Sequence, residues 1–155
     1  AVLSARAALS DLTPLLTDCG RLCGFACCKG DEQTGMLLFP GEEALFAPCA
    51  FGRVIPAHFE LAGRPAHLFV CNGTCSRENR PLACRLVPLF LHFKKDGSPH
   101  VNLDVRAKAV CPLCDYGVIG LRTEFVAAAK TAYAALMEDD ECAAFLRALD
   151  EAFSL

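Results

Sequence analysis

The sequence has no excess of positive charge and no long apolar run. Fifteen Lys and Arg residues face 18 Asp and Glu residues, so the 155-residue chain has a formal net charge of -3. Chains that bind nucleic acid or anionic lipid carry a basic patch, and a bilayer-spanning helix needs about 20 apolar residues. We therefore expect neither nucleic acid nor a membrane as a partner. The first residues lack the basic segment of a secretory signal, so we expect a cytoplasmic protein.

Motifs of common hydrolytic and nucleotide-binding enzymes are also missing. The sequence contains no Gly-rich phosphate loop, no G-x-S-x-G motif and no paired carboxylates on one predicted element. A Cys–His protease is not predicted, because nothing marks one of the 11 cysteines as a nucleophile. The four histidines show no metal-ligand spacing, and we interpret them as packed or surface residues: His58, His67, His92 and His100.

Internal repeats, low-complexity tracts and linker-like segments are absent as well, so we predict a single domain over 1–155. A chain of this length buries about two thirds of its unfolded surface, which provides a core without disulfide staples. The cysteines therefore need another explanation.

Cysteine is the abundant residue, with an odd count of 11. Disulfides are disfavoured in a reducing cytosol, so metal binding or redox chemistry explains the cysteines better than a disulfide framework. Cys49 and Cys142 stand apart, and we interpret both as structural, Cys142 because it falls on the apolar face of the last predicted helix. The other nine form three clusters: Cys19, Cys23, Cys27 and Cys28; Cys71, Cys75 and Cys84; Cys111 and Cys114.

The first cysteine cluster is predicted to lie on a helix. Thr13 and Pro14 are typical of the cap and first residue of a helix. On that helix Cys19, Cys23 and Cys27 lie along one face, displaced by about 40° per step. If the helix continues, Cys28 points about 100° away from Cys27. Either one of these two cysteines therefore faces another direction, or the helix has ended and a loop lets both bind.

Two antiparallel hairpins are predicted after this helix. The first has strands over 54–61 and 66–71, with Pro56 indicating an edge strand. The second has strands over 89–94 and 100–105 around an Asp-Gly turn.

Short and long helices complete the predicted fold. A short helix starts near 40–43, another over 80–87 carries Cys84, and two closing helices occupy about 115–155, with an acidic break at 138–140. The sequence therefore predicts an α+β fold, a single domain with small antiparallel hairpins and several helices around a cysteine-rich metal centre.

The second cysteine cluster is arranged around a tight turn. Asn72 and Gly73 favour a turn that lets Cys71 and Cys75 face one site, and Cys84 can close the same site. Three arginines lie among these thiols and are candidate hydrogen-bond donors to thiolate: Arg77, Arg80 and Arg85.

Clustered thiolates repel one another unless a cation is present, which favours metal binding. Cys111 and Cys114 form a C-x-x-C motif that suits either metal ligation or a redox dithiol. Nine thiols exceed the four that one zinc ion or one [4Fe-4S] cluster takes. Either two sites exist or several cysteines are bystanders, and soft thiolates suit zinc and iron–sulfur equally.

Two segments resemble the YkgJ-type family of bacterial and archaeal cysteine-cluster proteins, described as a zinc- or iron-chelating domain with a CxxCxxCC pattern. They are CGRLCGFACC at 19–28 and the more specific CSRENRPLACRLVP at 75–88. The resemblance covers about 19–114, and the first segment departs from the family pattern in its C-x3-C-x3-CC spacing. It implies metal ligation by Cys19, Cys23, Cys27 or Cys28, Cys71, Cys75 and Cys84.

Two classes of function follow. The first is a metal-chelating protein that binds zinc or an iron–sulfur cluster through cysteine thiolates. The second is an iron–sulfur-dependent oxidoreductase or group-transfer enzyme, a label that some family members carry, or a thiol–disulfide redox switch.

Overall fold

Five α-helices and five β-strands are formed by the residues that the computed structural model describes, which are 1–31, 33–73 and 75–153. The helices are α1 Val2–Leu9, α2 Gly20–Cys23, α3 Leu82–Leu86, α4 Thr123–Met137 and α5 Asp140–Phe153. The strands are β1 Met36–Leu37, β2 Gly52–Leu61, β3 Arg64–Cys71, β4 Leu89–Phe93 and β5 Pro99–Leu103.

The predicted first hairpin is confirmed and belongs to a three-stranded antiparallel sheet in the order β1–β3–β2. Strand β2 lies at the edge, as Pro56 predicts, because proline cannot donate a hydrogen bond to a further strand. The register between β2 and β3 shifts between Pro56 and Glu60. Ala62 and Gly63 close the hairpin with positive φ angles of 51° and 72°.

The second predicted hairpin is confirmed as β4–β5. Its turn is closed by a hydrogen bond from the Ser98 N–H to the Asp96 carboxylate, at 2.9 Å. His92 on β4 joins the hairpin to α5, because its Nδ1 lies 2.9 Å from Asp150 Oδ1 and its Nε2 lies 2.9 Å from the Leu103 carbonyl oxygen. This histidine has a packing role, as the sequence predicts.

The helix predicted to start at Pro14 is wrong, because residues 10–18 contain no helix and α2 begins only at Gly20. Distant groups bind the carbonyl oxygens of this segment. The Arg122 N–H donates to the Pro14 carbonyl at 2.8 Å, and the Arg77 guanidinium donates to the Leu12 carbonyl. Tertiary hydrogen bonds therefore replace the predicted first turn.

Helix α1 is an element that the sequence analysis does not predict. Ala5 and Leu9 on this helix are completely buried, α1 packs against α4, and the equally buried Phe125 and Ala129 of α4 belong to the same core. A smaller core of Leu38, Phe46 and Phe69 lies beneath the sheet. The architecture is a single α+β domain, as predicted. None of the described helices combines the length and apolarity that a bilayer crossing requires.

The short helix near 40–43 is confirmed as a 3-10 helix over Glu42–Leu45, and the predicted helix over 80–87 is confirmed as α3. The two closing helices are confirmed as α4 and α5, and their chain break falls at Glu138 and Asp139. Residues 154–155 of the predicted closing segment lie outside the described residues.

Asp139 caps α5, since its carboxylate accepts the Cys142 N–H at 2.9 Å, and this hydrogen bond lowers the pKa of Asp139. We expect Asp139→Ala to lower the free energy of unfolding by about 1 kcal/mol at neutral pH. A lowered pKa contributes stability above the unfolded value of about 3.9, and this contribution disappears as the pH falls through the folded pKa. Urea unfolding at several pH values measures both effects.

Asp139→Asn is the matched control for this cap. Asparagine caps helices about as well as aspartate and does not titrate, so we expect near-native stability at neutral pH. A stability difference between wild type and Asp139→Ala that does not shrink with acid would contradict the capping assignment.

Candidate metal centre

Five cysteines from four places in the chain line one cavity of about 30 Å3, which we call the thiol cavity. Two come from the 3-10 helix over Ala26–Cys28, one from the end of β3, one from the loop after it and one from α3. These residues are Cys27, Cys28, Cys71, Cys75 and Cys84.

Cys27 and Cys28 reach the thiol cavity because α2 ends at Cys23. Gly24 ends α2 in the left-handed conformation with a φ of 60°, and Phe25 follows with a φ of 59°. The Phe25 ring packs so closely on Gly20 that a Cβ there would lie 2.4 Å from it. The predicted single helical face through Cys19, Cys23 and Cys27 is therefore wrong. The alternative in which the helix ends before the adjacent pair is confirmed.

The second predicted cluster meets in the thiol cavity as the sequence predicts. Cys71 is the last residue of β3, and its sulfur accepts the Gly73 N–H at 3.4 Å. Cys84 lies in the middle of α3. Cys71, Cys75 and Cys84 all line the thiol cavity. An N–H donor to sulfur stabilises the thiolate form, which is the form that binds metal.

Arg80 is the arginine that contacts a thiol of this cavity. Its positive charge acts on the Cys75 thiol, and its guanidinium lies 3.9 Å from the Asp18 carboxylate. Burial raises the pKa of Cys75, and Arg80 opposes that rise. The other two predicted arginines bind backbone carbonyl oxygens instead. Arg85 donates to the Glu78 carbonyl at 2.6 Å, and Arg77 donates to the Leu12 carbonyl.

Burial and close packing of the thiols shift their pKa values in different directions. Burial, with the neighbouring Cys28 thiol, raises the pKa of Cys84 well above its ordinary value. A hydrogen bond between the adjacent cysteines raises the pKa of Cys28 and lowers that of Cys27. Without a bound cation, the buried thiols therefore resist ionisation, and the exposed Cys27 is the most readily ionised of this pair.

Glu42 begins the 3-10 helix Glu42–Leu45, and the sequence analysis does not predict its buried role. Its side chain is completely buried and accepts hydrogen bonds from the Phe39 N–H at 3.1 Å, the Leu82 N–H at 2.6 Å and the Arg6 guanidinium at 3.2 Å. Burial raises the pKa of Glu42. Glu42 holds the first residue of α3 and thereby positions Cys84. No local signal identifies this role, because two of the donors lie 36 and 40 residues away.

The remaining predicted cysteines do not line the thiol cavity, and we call them the second thiol group: Cys19, Cys23, Cys111 and Cys114. Burial, the Asp18 carboxylate and the Cys111 thiol raise the pKa of Cys19, and the Cys23 thiol adds to the rise. Burial and the Cys111 thiol raise the pKa of Cys114. Cys19 and Cys23 also interact electrostatically with Cys27, so these two cysteines are neighbours of the thiol cavity.

In their present positions, the described thiols do not form a complete set of metal ligands. Over residues 1–31, 33–73 and 75–153, no three His, Cys, Asp or Glu side chains lie close enough together to hold a metal ion. Cys49 and Cys142 border neither thiol group. Cys142 is buried on α5 at 2 % exposure, as predicted, and Cys49 packs against the small core under the sheet.

A larger cavity of about 510 Å3 adjoins the thiol cavity and is called the apolar cavity here. Cys27, Thr34, Gly35 and Met36 line both cavities, so Cys27 lies at the boundary between them. The apolar cavity extends inward to core residues of α3, β4, α4 and α5.

Comparisons of this chain with protein families, with characterised proteins and with solved structures find no match.

Proposed function

We propose that this protein chelates a metal ion through cysteine thiolates. The observation that carries the proposal is the common cavity lined by five cysteines from distant parts of the sequence. Soft thiolate donors in this number select zinc or iron–sulfur over the harder cations. The proposed ligands are Cys28, Cys71, Cys75 and Cys84, with Cys27 beside them.

The donor set fits a metal ion in its chemistry. Four thiolates satisfy a tetrahedral zinc site, Arg80 offsets part of their negative charge, and the Gly73 N–H already faces the Cys71 sulfur. Binding requires the thiols to converge from their present positions.

We propose zinc as the first metal, bound in a closed structural site of a cytoplasmic protein, because four thiolates complete a tetrahedral zinc site without a donor of another kind. A [4Fe-4S] cluster would use the same four donors, and metal analysis distinguishes the two. The likeness of 19–28 and 75–88 to YkgJ-type sequences supports the same proposal.

A second candidate function is an iron–sulfur-dependent oxidoreductase or group-transfer enzyme. The position of Cys27 favours it, because this exposed thiol lies between the thiol cavity and a cavity large enough for a substrate. A thiol–disulfide switch would use the same exposed thiol and a second thiol of the cavity, such as Cys84.

Metal analysis of the protein purified without oxygen tests the proposal. We expect about one zinc ion per chain, no visible colour, and a fall in thermal stability when a strong chelator removes the metal. Two zinc ions per chain would assign the second thiol group as a further site. Iron with matching acid-labile sulfide and broad visible absorption would replace zinc by a cluster and favour the enzyme. A protein free of zinc and iron would contradict metal chelation.

A further inference from the structure

The apolar cavity has a lining that suits a ligand with a long apolar body. Its walls are mainly aliphatic and aromatic, and its volume of about 510 Å3 lies within the usual range of small-molecule sites, about 300–1,000 Å3. The deepest wall is formed by residues that are at most 6 % exposed: Leu86, Leu89, Tyr133, Phe145 and Leu149.

The polar groups deep in the cavity are already engaged with protein partners. The Tyr133 hydroxyl donates to the Leu89 carbonyl at 3.0 Å. Arg106 forms a double hydrogen bond with the Asp104 carboxylate, at 2.9 and 2.6 Å, and its guanidinium lies 5.0 Å from the centre of the Phe90 ring. A ligand that reaches this end of the cavity therefore meets apolar surface and no free charge.

The described residues at the boundary near the thiols are polar and include one lysine. Lys29, which is exposed, lines this end together with Gln33 and Thr34. Asp31 belongs to the same loop but does not line the cavity, and its carboxylate accepts the Gln33 and Thr34 N–H groups at 2.8 and 2.9 Å. The charged residues of the described lining are Lys29, Asp104 and Arg106, and because Asp104 and Arg106 pair with each other, Lys29 gives this lining a net positive charge.

We propose that the apolar cavity binds an amphiphilic carboxylate, with its aliphatic chain among the core residues and its acid group at Lys29 beside Cys27. Apolar burial provides the affinity, and the lysine selects an anionic head group over a neutral or cationic one. This site goes beyond the proposed metal centre and does not require it to be occupied.

Calorimetric titration of the purified protein with decanoate tests this proposal. Decanol and decylamine, which share the ten-carbon chain, serve as neutral and cationic probes. We expect saturable one-to-one binding of decanoate, about threefold or more tighter than that of decylamine, as expected for one exposed charge contact. Binding of all three probes with equal affinity, binding without saturation, or no binding of decanoate would overturn the proposal.

Two variants with matched controls locate the ligand. Val110 lines the cavity at 45 % exposure, so Val110→Trp is expected to fill its rim and weaken decanoate binding about tenfold, the loss of about two buried methylene groups. Val105, also 45 % exposed, lines no described cavity, and Val105→Trp is expected to bind normally. Lys29→Gln is expected to remove the preference for decanoate over decylamine, and Lys130→Gln on the exposed side of α4 is expected to keep it.

Equal affinities of Val110→Trp and Val105→Trp would overturn the cavity assignment. The titration uses the protein with whatever metal it carries. Failure to bind decanoate would therefore leave the metal proposal unaffected, and a metal-free protein that binds decanoate would leave this proposal standing.

Discussion

Cys84→Ser is expected to reduce the bound zinc to less than about one tenth of the wild-type amount. Cys84 lies in the middle of α3 and interacts electrostatically with the thiols of Cys28, Cys71 and Cys75. A serine hydroxyl is not ionised at neutral pH and is a poor zinc ligand, so the variant keeps only three of the four proposed donors. Elemental analysis after dialysis against a weak chelator measures the loss.

Cys49→Ser is the matched control, because Cys49 is also partly buried but packs outside the thiol cavity. We expect it to retain its zinc. Far-ultraviolet circular dichroism verifies folding of both variants, since the chain has no tryptophan to report by fluorescence. A folded Cys84→Ser protein with full zinc content would disprove the ligand assignment. Retained zinc together with a lost response to oxidants would favour the thiol–disulfide switch.

The elements that sequence reasoning predicts correctly are those determined by local chemistry. The hairpins are readable because Ala62 with Gly63, and Asp96 with Gly97, form tight turns between β-favouring segments. Pro56 identifies an edge strand for the simple reason that proline lacks an N–H. The closing helices follow from apolar spacing around the break at Asp139.

The elements that it predicts wrongly depend on contacts across the chain. The Thr13–Pro14 signal is typical of a helix start, yet Arg77 and Arg122 bind the carbonyls of that segment from 65 and 108 positions further along. Tertiary hydrogen bonds of this kind outweigh a local propensity of a few tenths of a kcal/mol per residue, roughly. The positive φ of Phe25 has no sequence signature either, since such angles are rare outside glycine.

The candidate site shows the same division. Spacing around Asn72 and Gly73 correctly predicts that Cys71, Cys75 and Cys84 face one cavity. Spacing alone cannot predict which cysteines of the first cluster line the thiol cavity, because that depends on where α2 ends. Two of its cysteines line the thiol cavity, and the other two do not line it although they interact electrostatically with Cys27.

Glu42→Ala is expected to lower the free energy of unfolding by about 3–5 kcal/mol, as expected when one partner of a buried ion pair is removed. The substitution leaves the Phe39 and Leu82 N–H groups without their acceptor, and it leaves Arg6, only 14 % exposed, without its carboxylate. Because the Leu82 N–H belongs to the first turn of α3, the change is also expected to loosen the segment that carries Cys84 and to weaken zinc binding. Urea unfolding of the zinc-free protein, followed by circular dichroism, measures the stability loss separately from metal binding.

Glu43→Ala is the matched control, since it removes the same side chain one position along the same 3-10 helix. Glu43 is partly exposed, and surface substitutions usually change stability by less than about 0.5 kcal/mol. Equal stability losses in the two variants would mean that the helix, and not the buried carboxylate, is the sensitive feature. A loss below about 1 kcal/mol for Glu42→Ala would contradict the role of Glu42 as the buried anchor, because unsatisfied buried N–H groups alone cost about that much. The larger loss, confined to Glu42, would show that one carboxylate connects α1 to the start of α3 and so determines where Cys84 lies.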